Sequence, residues 1–191
     1  KEAKRLNVNF FRGSETDVLN RVHSAFFSNT SDIHVEFHGD SPFVDEHIID
    51  KIIGYLLQNI DEVDYVSNAI KTTFPPGLEV TAYKAFCLEK AEKVTPNEDP
   101  LREYITPNII RLNGIRFKNI EAPQKLNYPY YYFEIDYEKD LSMLNNLITI
   151  VINKYGENFS AQELVSTALE NPKILEENLQ LHRNWKQFRQ I

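Results

Sequence analysis

The run Ile33-His34-Val35-Glu36-Phe37 is followed by the loop His38-Gly39-Asp40-Ser41-Pro42 and by an apolar segment that starts at Asp45. The first five positions are rich in β-branched and aromatic residues, which predicts a strand. Gly39 and Pro42 end that strand. Asp45 then begins a helix through about Gln58, because apolar residues recur at helical spacing. A strand, a short acidic loop and an amphipathic helix are typical of an α/β sheet protein.

Strands and helices alternate on both sides of this stretch. Further strands are predicted over residues 7–11, 64–68, 78–83, 117–120 and 130–135. Further helices are predicted over residues 1–6, from Ser14 or Thr16 to about 28, and over 84–93, part of 101–112, 141–155, 161–169 and 172–181. This alternation indicates an α/β fold with a mostly parallel sheet covered by helices on both faces. Without a linker or an internal repeat, we expect a single domain over 1–191, with a C-terminal helical tail over about 157–191.

Composition narrows the classes of partner. The chain has 191 residues, 42% of them hydrophobic, which allows a substantial core. Its net charge of −7 argues against nucleic acid, because phosphate backbones demand a basic surface. No apolar run reaches the roughly 20 residues that span a bilayer, so no membrane insertion is expected. The single Cys87 suggests packing more than a nucleophile, and the absence of a secretory signal predicts a cytoplasmic location.

Two aspartates follow predicted strands. Asp40 lies in the loop after residues 33–37, and Asp136 follows residues 130–135. Parallel sheets bind ligands beyond the carboxyl ends of their strands. Carboxylates in such places are ligands for Mg²⁺ that also holds substrate phosphates, and Gly39 would let the backbone approach a ligand. The alternative is that both aspartates cap turns or helices.

Two other segments carry candidate binding groups. The turn Phe10-Phe11-Arg12-Gly13-Ser14-Glu15-Thr16-Asp17 places an Arg and hydroxyls before a helix, whose N-terminus favours anions. A capping turn with solvated charges is the alternative. Arg102 offers a guanidinium that can clamp a carboxylate or phosphate bidentately, or form an exposed helical ion pair. The aromatic run 128–133 can stack on a sugar, fill a core or form an interface, which allows a homodimer.

The order of the segments is more specific than any one of them. Together they resemble the spore coat polysaccharide biosynthesis protein SpsF family, which is grouped with the cytidylyltransferases that make CMP-activated acidic sugars. The similarity runs from about residue 6 to residue 181. The blocks that carry it are Phe11-Arg12-Gly13-Ser14-Glu15, Asp17-Val18-Leu19-Asn20-Arg21, Gly39-Asp40-Ser41-Pro42-Phe43-Val44-Asp45, Asp64-Tyr65-Val66-Ser67-Asn68, Phe74-Pro75-Pro76-Gly77-Leu78, Arg102-Glu103-Tyr104-Ile105-Thr106-Pro107 and Ile135-Asp136-Tyr137-Glu138-Lys139-Asp140.

This resemblance implies a Rossmann-like nucleotidyltransferase fold of the nucleotide-diphospho-sugar transferase type. It also implies a reaction, in which a sugar acid attacks the α-phosphorus of the nucleotide triphosphate CTP and pyrophosphate leaves. Asp40 and Asp136 match the positions that hold Mg²⁺ in related enzymes. Ser14, Asp17 and Arg21 match a block near the nucleotide, and Gly39 is the fourth binding candidate because its backbone can approach a ligand. Arg102 matches a block near the sugar acceptor and is the catalytic candidate.

Some residues depart from the family pattern. Glu36 and His38 stand where the family usually shows an Arg and a Thr, and Tyr104 stands where a His is usual. The family also opens with a strand and a basic, glycine-rich loop that wraps the triphosphate. That segment does not precede Lys1, so we expect the chain as given to be incomplete for catalysis. Two alternatives remain, which are a non-catalytic binding or assembly module and a glycosyltransferase that uses a nucleotide-sugar.

Overall fold

Four short strands form one sheet in the computed structural model, which describes residues 1–28, 31–176 and 178–179. The strands are β1 (Ile33–Glu36), β2 (Tyr65–Ser67), β3 (Thr81–Lys84) and β4 (Phe117–Asn119). The α-helices are α1 (Glu2–Arg5), α2 (Val18–Phe27), α3 (Glu46–Gln58), α4 (Ala85–Val94), α5 (Thr106–Ile110), α6 (Glu138–Tyr155) and α7 (Ala161–Glu170). Short 3-10 helices occupy Pro100–Glu103 and Gln124–Leu126. Residues 172–176 and 178–179 are also helical, so the predicted tail is helical in its described part, whereas 180–191 lie outside the described residues.

The strand order is β1-β3-β2-β4. At the start of β2 and β4, Tyr65 N–H donates to Arg116 C=O, and at their ends Ile120 N–H donates to Ser67 C=O, so this pair is parallel. Lys84 N–H donates to Asp64 C=O, which joins the end of β3 to the start of β2 and makes that pair antiparallel. The sheet is therefore mostly parallel, as predicted, with β3 running against the others.

The chain clusters into two compact units whose segments alternate along the sequence. Unit 1 comprises residues 1–34, 60–65 and 83–117, and unit 2 comprises 35–59, 66–82 and 118–191. The core of unit 1 contains Tyr65, Tyr83, Cys87 and apolar residues of α2, α4 and α5. The rings of Tyr65 and Tyr83 are stacked, with their centroids 5.5 Å apart. Burial raises the pKa of the Cys87 thiol to about 12, which agrees with the packing interpretation. The prediction of one domain over 1–191 stays a prediction.

In unit 2, one carboxylate caps two helices. Asp45 precedes α3, and its Oδ1 accepts the N–H groups of His47 and Ile48. Its Oδ2 accepts the N–H of Ala161, the first residue of α7, at 2.6 Å. Uncapped N–H groups and the helix dipole both favour an anion at a helix N-terminus. The predicted start of α3 is confirmed, and the side chain that starts it also anchors a helix much later in the chain.

Two predicted strands are wrong, as are the predicted caps of α2. Residues 7–11 form no strand, and Val8, Phe10 and Phe11 are exposed, because an alternating pattern needs a partner strand to become a ladder. Residue 130 lies in a turn and residues 131–135 belong to no regular element, outside the sheet. Asp17, rather than Ser14 or Thr16, caps α2, because its Oδ1 accepts Asn20 N–H. Within the described ranges, none of the helices combines the length and apolarity needed to cross a bilayer.

A buried carboxylate joins the strands in unit 1. Asp64 is 3% exposed and accepts hydrogen bonds from Arg116 Nε and Nη2 and from Lys84 Nζ. The hydrogen bonds from Arg116, reinforced by Lys84, hold the pKa of Asp64 well below its usual range, although burial opposes that shift. The ion pairs therefore stabilise the fold whenever Asp64 is ionised.

We expect Asp64→Asn to lower the free energy of unfolding by about 2 kcal/mol at pH 7, because Lys84 and Arg116 lose their anion. A depressed folded-state pKa gives stability that is fully present above the unfolded pKa of about 4, begins to fall below it, and is lost as the pH falls through the lower folded-state pKa. The difference between wild type and variant should therefore shrink between about pH 5 and pH 3 in urea unfolding experiments. A difference that is constant over this pH range would contradict the assignment.

Candidate functional site

The structure brings Asp40 and Asp136 to adjacent stretches of backbone in unit 2. Ile135 N–H donates to Asp40 C=O at 2.9 Å, so the loop after β1 is bonded to the residue that precedes Asp136. Both aspartates are exposed to solvent. On the first loop, Ser41 N–H donates to His38 C=O, and Ser41 Oγ donates to Asp40 Oδ1 at 3.2 Å. Two carboxylate-bearing residues distant in sequence thus lie side by side at the carboxyl end of β1.

The segment that carries Asp136 is held from a second direction. Phe133 N–H donates to Pro76 C=O at 2.8 Å. Gly77 has φ +97°, and a Cβ placed there would lie 2.6 Å from the backbone carbonyl of Phe133. A side chain at residue 77 would therefore push the Phe133 backbone away, and the Pro-Pro-Gly turn allows the close approach. The two hydrogen bonds, to Pro76 and to Asp40, hold residues 133–135 in place without a strand.

The donor chemistry of the pair fits Mg²⁺. This ion takes oxygen ligands, uses one or two protein carboxylates and keeps several waters or substrate oxygens. Asp40 and Asp136 supply two such carboxylates with open access to water. Across the part of the chain that the structure describes, no group of three or more His, Cys, Asp or Glu side chains converges on one metal position. Asp40 and Asp136 as metal ligands stay a prediction, with substrate oxygens as the remaining donors.

Arg102 lies in unit 1 in a buried ion-pair network. Its side chain is 4% exposed, so the alternative of an exposed helical ion pair is wrong. Nη2 binds both oxygens of Glu92 at 2.8 Å, Nε binds Asp17 Oδ2 at 2.8 Å, and Nη1 donates to Thr95 C=O. Burial lowers the pKa of Arg102, but its hydrogen bonds to Asp17 and Glu92 outweigh burial and raise it overall. One guanidinium nitrogen, Nη2, therefore contacts both oxygens of a carboxylate, and that carboxylate belongs to the chain itself.

Ser14, Asp17 and Arg21 join the same network in unit 1, whereas the fourth predicted binding residue, Gly39, lies in the loop beside Asp40 in unit 2. Asp17 caps α2 with one oxygen and binds Arg102 with the other. Partial burial raises the pKa of Asp17, but the hydrogen bond from Arg102 and the N–H of Asn20 lower it overall. Ser14 Oγ accepts Asp17 N–H at 2.9 Å, and Arg21 Nη1 donates to Ser14 C=O. These contacts fix the conformation of the turn over residues 13–17. Most of the side chains that form them are ones that the resemblance predicts to contact the nucleotide.

Sequence reasoning missed Glu92, Asn20 and Thr95 as members of this network. Glu92 binds Arg102, and Asn20 Nδ2 donates to Glu92 Oε1 at 2.9 Å. Glu92 lies in the charged run 89–93, which is typical of a solvated helix face, so the sequence carried no signal for its burial. The catalytic role of Arg102 and the nucleotide contacts of Ser14, Asp17 and Arg21 stay predictions.

Comparison of the chain with known proteins shows the family to which it belongs. A family model described as cytidylyltransferase matches residues 1–139, which is more than half of the chain. The chain belongs to the cytidylyltransferase family. The resemblance predicted from the ordered sequence blocks is therefore confirmed, and family membership implies a nucleotide triphosphate as substrate.

This cytidylyltransferase has relatives of greater length. It is 32% identical over 190 residues to an uncharacterized protein of Methanocaldococcus jannaschii, MJ1063, and the match covers 97% of the chain and 72% of that protein. It is 28% identical over 165 residues to the spore coat polysaccharide biosynthesis protein SpsF of Bacillus subtilis, covering 85% of the chain and 65% of SpsF. A solved cytidylyltransferase structure from Leptospira borgpetersenii matches with a TM-score of 0.80 and 27% identity, covering 91% of the chain and 71% of that structure. The predicted fold class is confirmed.

Proposed function

We propose that this cytidylyltransferase transfers the cytidylyl group of CTP to a hydroxyl of an acidic sugar in surface polysaccharide biosynthesis. The products are a CMP-sugar and pyrophosphate. The observation that carries the proposal is the hydrogen bond between Ile135 N–H and Asp40 C=O, which sets two solvent-facing acidic residues next to each other. Family membership and the similarity to SpsF, named for spore coat polysaccharide, support the substrate class.

In the proposed reaction, no covalent bond forms between the substrates and the protein. A hydroxyl oxygen of the sugar bonds to the α-phosphorus, the bond from that phosphorus to the oxygen bridging to the β-phosphate breaks, and the hydroxyl proton passes to solvent. Phosphoryl-type transfers depend mainly on positioning and on neutralising charge. When bound, Mg²⁺ supplies charge neutralisation for the phosphate oxygens. Asp40 and Asp136 would hold the ion, and Ser41 supports Asp40 through its hydroxyl hydrogen bond.

The test is pyrophosphate release by the purified full-length protein. We expect release with CTP, Mg²⁺ and at least one member of a panel of nonulosonic and octulosonic acids, with the CMP-sugar identified by mass spectrometry. Neutral hexoses in parallel reactions test whether the sugar carboxylate is required. The same panel with UTP, ATP and GTP tests the choice of nucleotide, and reactions without Mg²⁺ test the requirement for the metal.

Each negative result has a distinct meaning. Release that needs UTP instead of CTP would contradict the nucleotide, and equal rates with neutral sugars would contradict the acidic acceptor. No release with any combination, together with no metal-dependent binding of CTP in calorimetry, would favour the non-catalytic module that Glu36 and His38 suggest. Binding of CTP that requires Mg²⁺ would keep the site and direct the search to other acceptors.

A further inference from the structure

A fully buried carboxylate is hydrogen-bonded to the backbone of Asp136, one member of the exposed acidic pair. Asp140 is in the first turn of α6, and its side chain is 0% exposed. Its Oδ2 accepts the N–H of Asp136 at 3.0 Å and the N–H of Tyr137 at 2.9 Å. The backbone of Asp136 is therefore bonded directly to a side chain four positions later, while the Asp136 carboxylate remains in solvent.

A helix cap alone does not account for this arrangement. In α7, Glu163 occupies the matching third position, and its carboxylate accepts the N–H of Ser160, yet Glu163 is only half-buried. Capping thus works in this protein without full burial. Burying a carboxylate is costly unless hydrogen bonds compensate it. Both carboxylates accept two hydrogen bonds, but the second bond of Glu163 comes from the cap residue Ser160 itself, whereas the second bond of Asp140 comes from the residue before the cap, Asp136.

Residues 135–137 are consequently fixed from two sides. Ile135 N–H is bonded to Asp40 C=O, and the next two N–H groups are bonded to Asp140. Partners that orient ligand residues are a general feature of metal sites, and their loss typically weakens metal affinity about 10- to 100-fold. Neither Asp140 nor its bond to Asp136 belongs to the set of ligands assigned above.

We propose that Asp140 is a positioning residue that holds Asp136 in register with Asp40 for a divalent cation. This inference rests on the proposed function only in taking Asp40 and Asp136 as the cation ligands. Asp140 itself contacts no substrate in this scheme and acts through the Asp136 backbone. Its loss should therefore affect the affinity for metal more than the rate at saturating metal.

Manganese provides a probe that does not depend on turnover. We expect Asp140→Ala to weaken Mn²⁺ binding, measured by electron paramagnetic resonance without nucleotide, by about 10- to 100-fold. Amide hydrogen exchange at residues 136 and 137 should accelerate in the same variant, because both N–H groups lose their acceptor. In the active protein, the Mg²⁺ concentration for half-maximal rate should rise by about the same factor, with kcat at saturating Mg²⁺ changed less.

Glu163→Ala is the matched control, because it removes the corresponding carboxylate from α7 and leaves residues 136 and 137 untouched. Unchanged Mn²⁺ affinity in a folded Asp140→Ala variant would overturn the proposal. If that variant does not fold, Asp140→Asn serves instead, since its neutral amide oxygen accepts weaker hydrogen bonds, and Mn²⁺ affinity about two- to fivefold lower is expected. If Asp140→Asn then bound Mn²⁺ as tightly as Glu163→Ala does, that result would overturn the proposal.

The proposal and the proposed function fail in different ways. If the protein binds Mn²⁺ through Asp40 and Asp136 but does not turn over CTP, the function is wrong and the role of Asp140 still stands. If CTP turnover is found and Asp140→Ala leaves both Mn²⁺ affinity and the Mg²⁺ requirement unchanged, the function stands and Asp140 is only a helix cap.

Discussion

Asp40→Asn should lower kcat for pyrophosphate release by roughly a thousandfold, because a metal ion contributes several kcal/mol to stabilising charge in the transition state. The Asn side chain keeps the shape of Asp40 and can still accept the hydrogen bond from Ser41, while the negative charge is lost. Asp40 is exposed, so the free energy of unfolding should change by less than about 0.5 kcal/mol. Steady-state kinetics and urea unfolding of the same preparation provide the two measurements.

Asp50→Asn is a suitable control, since it removes an exposed carboxylate from α3, away from the acidic loops. It should leave both kcat and stability near wild-type values. If Asp40→Asn retained wild-type kcat, the acidic pair would not be the metal site. A loss of activity accompanied by unfolding would also count against the prediction, because the structure gives the Asp40 side chain little part in the fold.

Arg102→Ala should destabilise the protein by about 3–5 kcal/mol, the usual cost of removing one partner from a buried ion pair. The substitution leaves the carboxylates of Glu92 and Asp17 without their cation, and Thr95 C=O loses its donor. Arg102→Lys should lose less, because an ammonium keeps the charge but cannot reproduce the planar fork that reaches Glu92, Asp17 and Thr95 C=O through three different nitrogens. Urea unfolding of wild type and both variants gives the comparison.

Lys71→Ala provides the scale for a surface ion pair. Lys71 binds Glu121 and its side chain is 66% exposed, so its loss should cost only about 0–1 kcal/mol. A stable Arg102→Ala variant with a large loss of kcat would reverse the structural interpretation and restore the catalytic role predicted from the sequence. A double-mutant cycle with Glu92→Ala would measure the coupling between the two side chains directly.

The sequence predicts correctly those helices that are determined by neighbouring residues, such as a capping side chain and apolar residues at helical spacing. The helix α3 was found because Asp45 offers a cap and the apolar residues that follow repeat at helical spacing. The strand over residues 7–11 was a wrong prediction, since alternation does not reveal whether a partner strand exists. The antiparallel direction of β3 was missed as well, because strand direction depends on how the chain returns, and strand–helix alternation does not encode it.

The candidate site shows the same division. Asp40 and Asp136 are predicted from the sequence because each follows a predicted strand. The hydrogen bond from Ile135 N–H to Asp40 C=O joins the two segments, as a shared site requires. The partners of Arg102 were not predictable, because Glu92 and Asp17 lie at unrelated spacings on different helices. Burial of Asp140 likewise depends on packing around α6. Charge tells which residues can bind, whereas tertiary packing decides which of them bind each other.

The double cap at Asp45 has a consequence for synthesis on the ribosome. Its partner Ala161 lies 116 residues later, and chains grow at about 5–20 residues per second, so the second bond must wait roughly 6–23 seconds. Unit 1 has all its segments once Phe117 has emerged, whereas unit 2 needs the chain beyond Ala161. Unit 2 is thus begun early and completed late, and a nascent chain stalled before α7 would present it unfinished to chaperones and proteases.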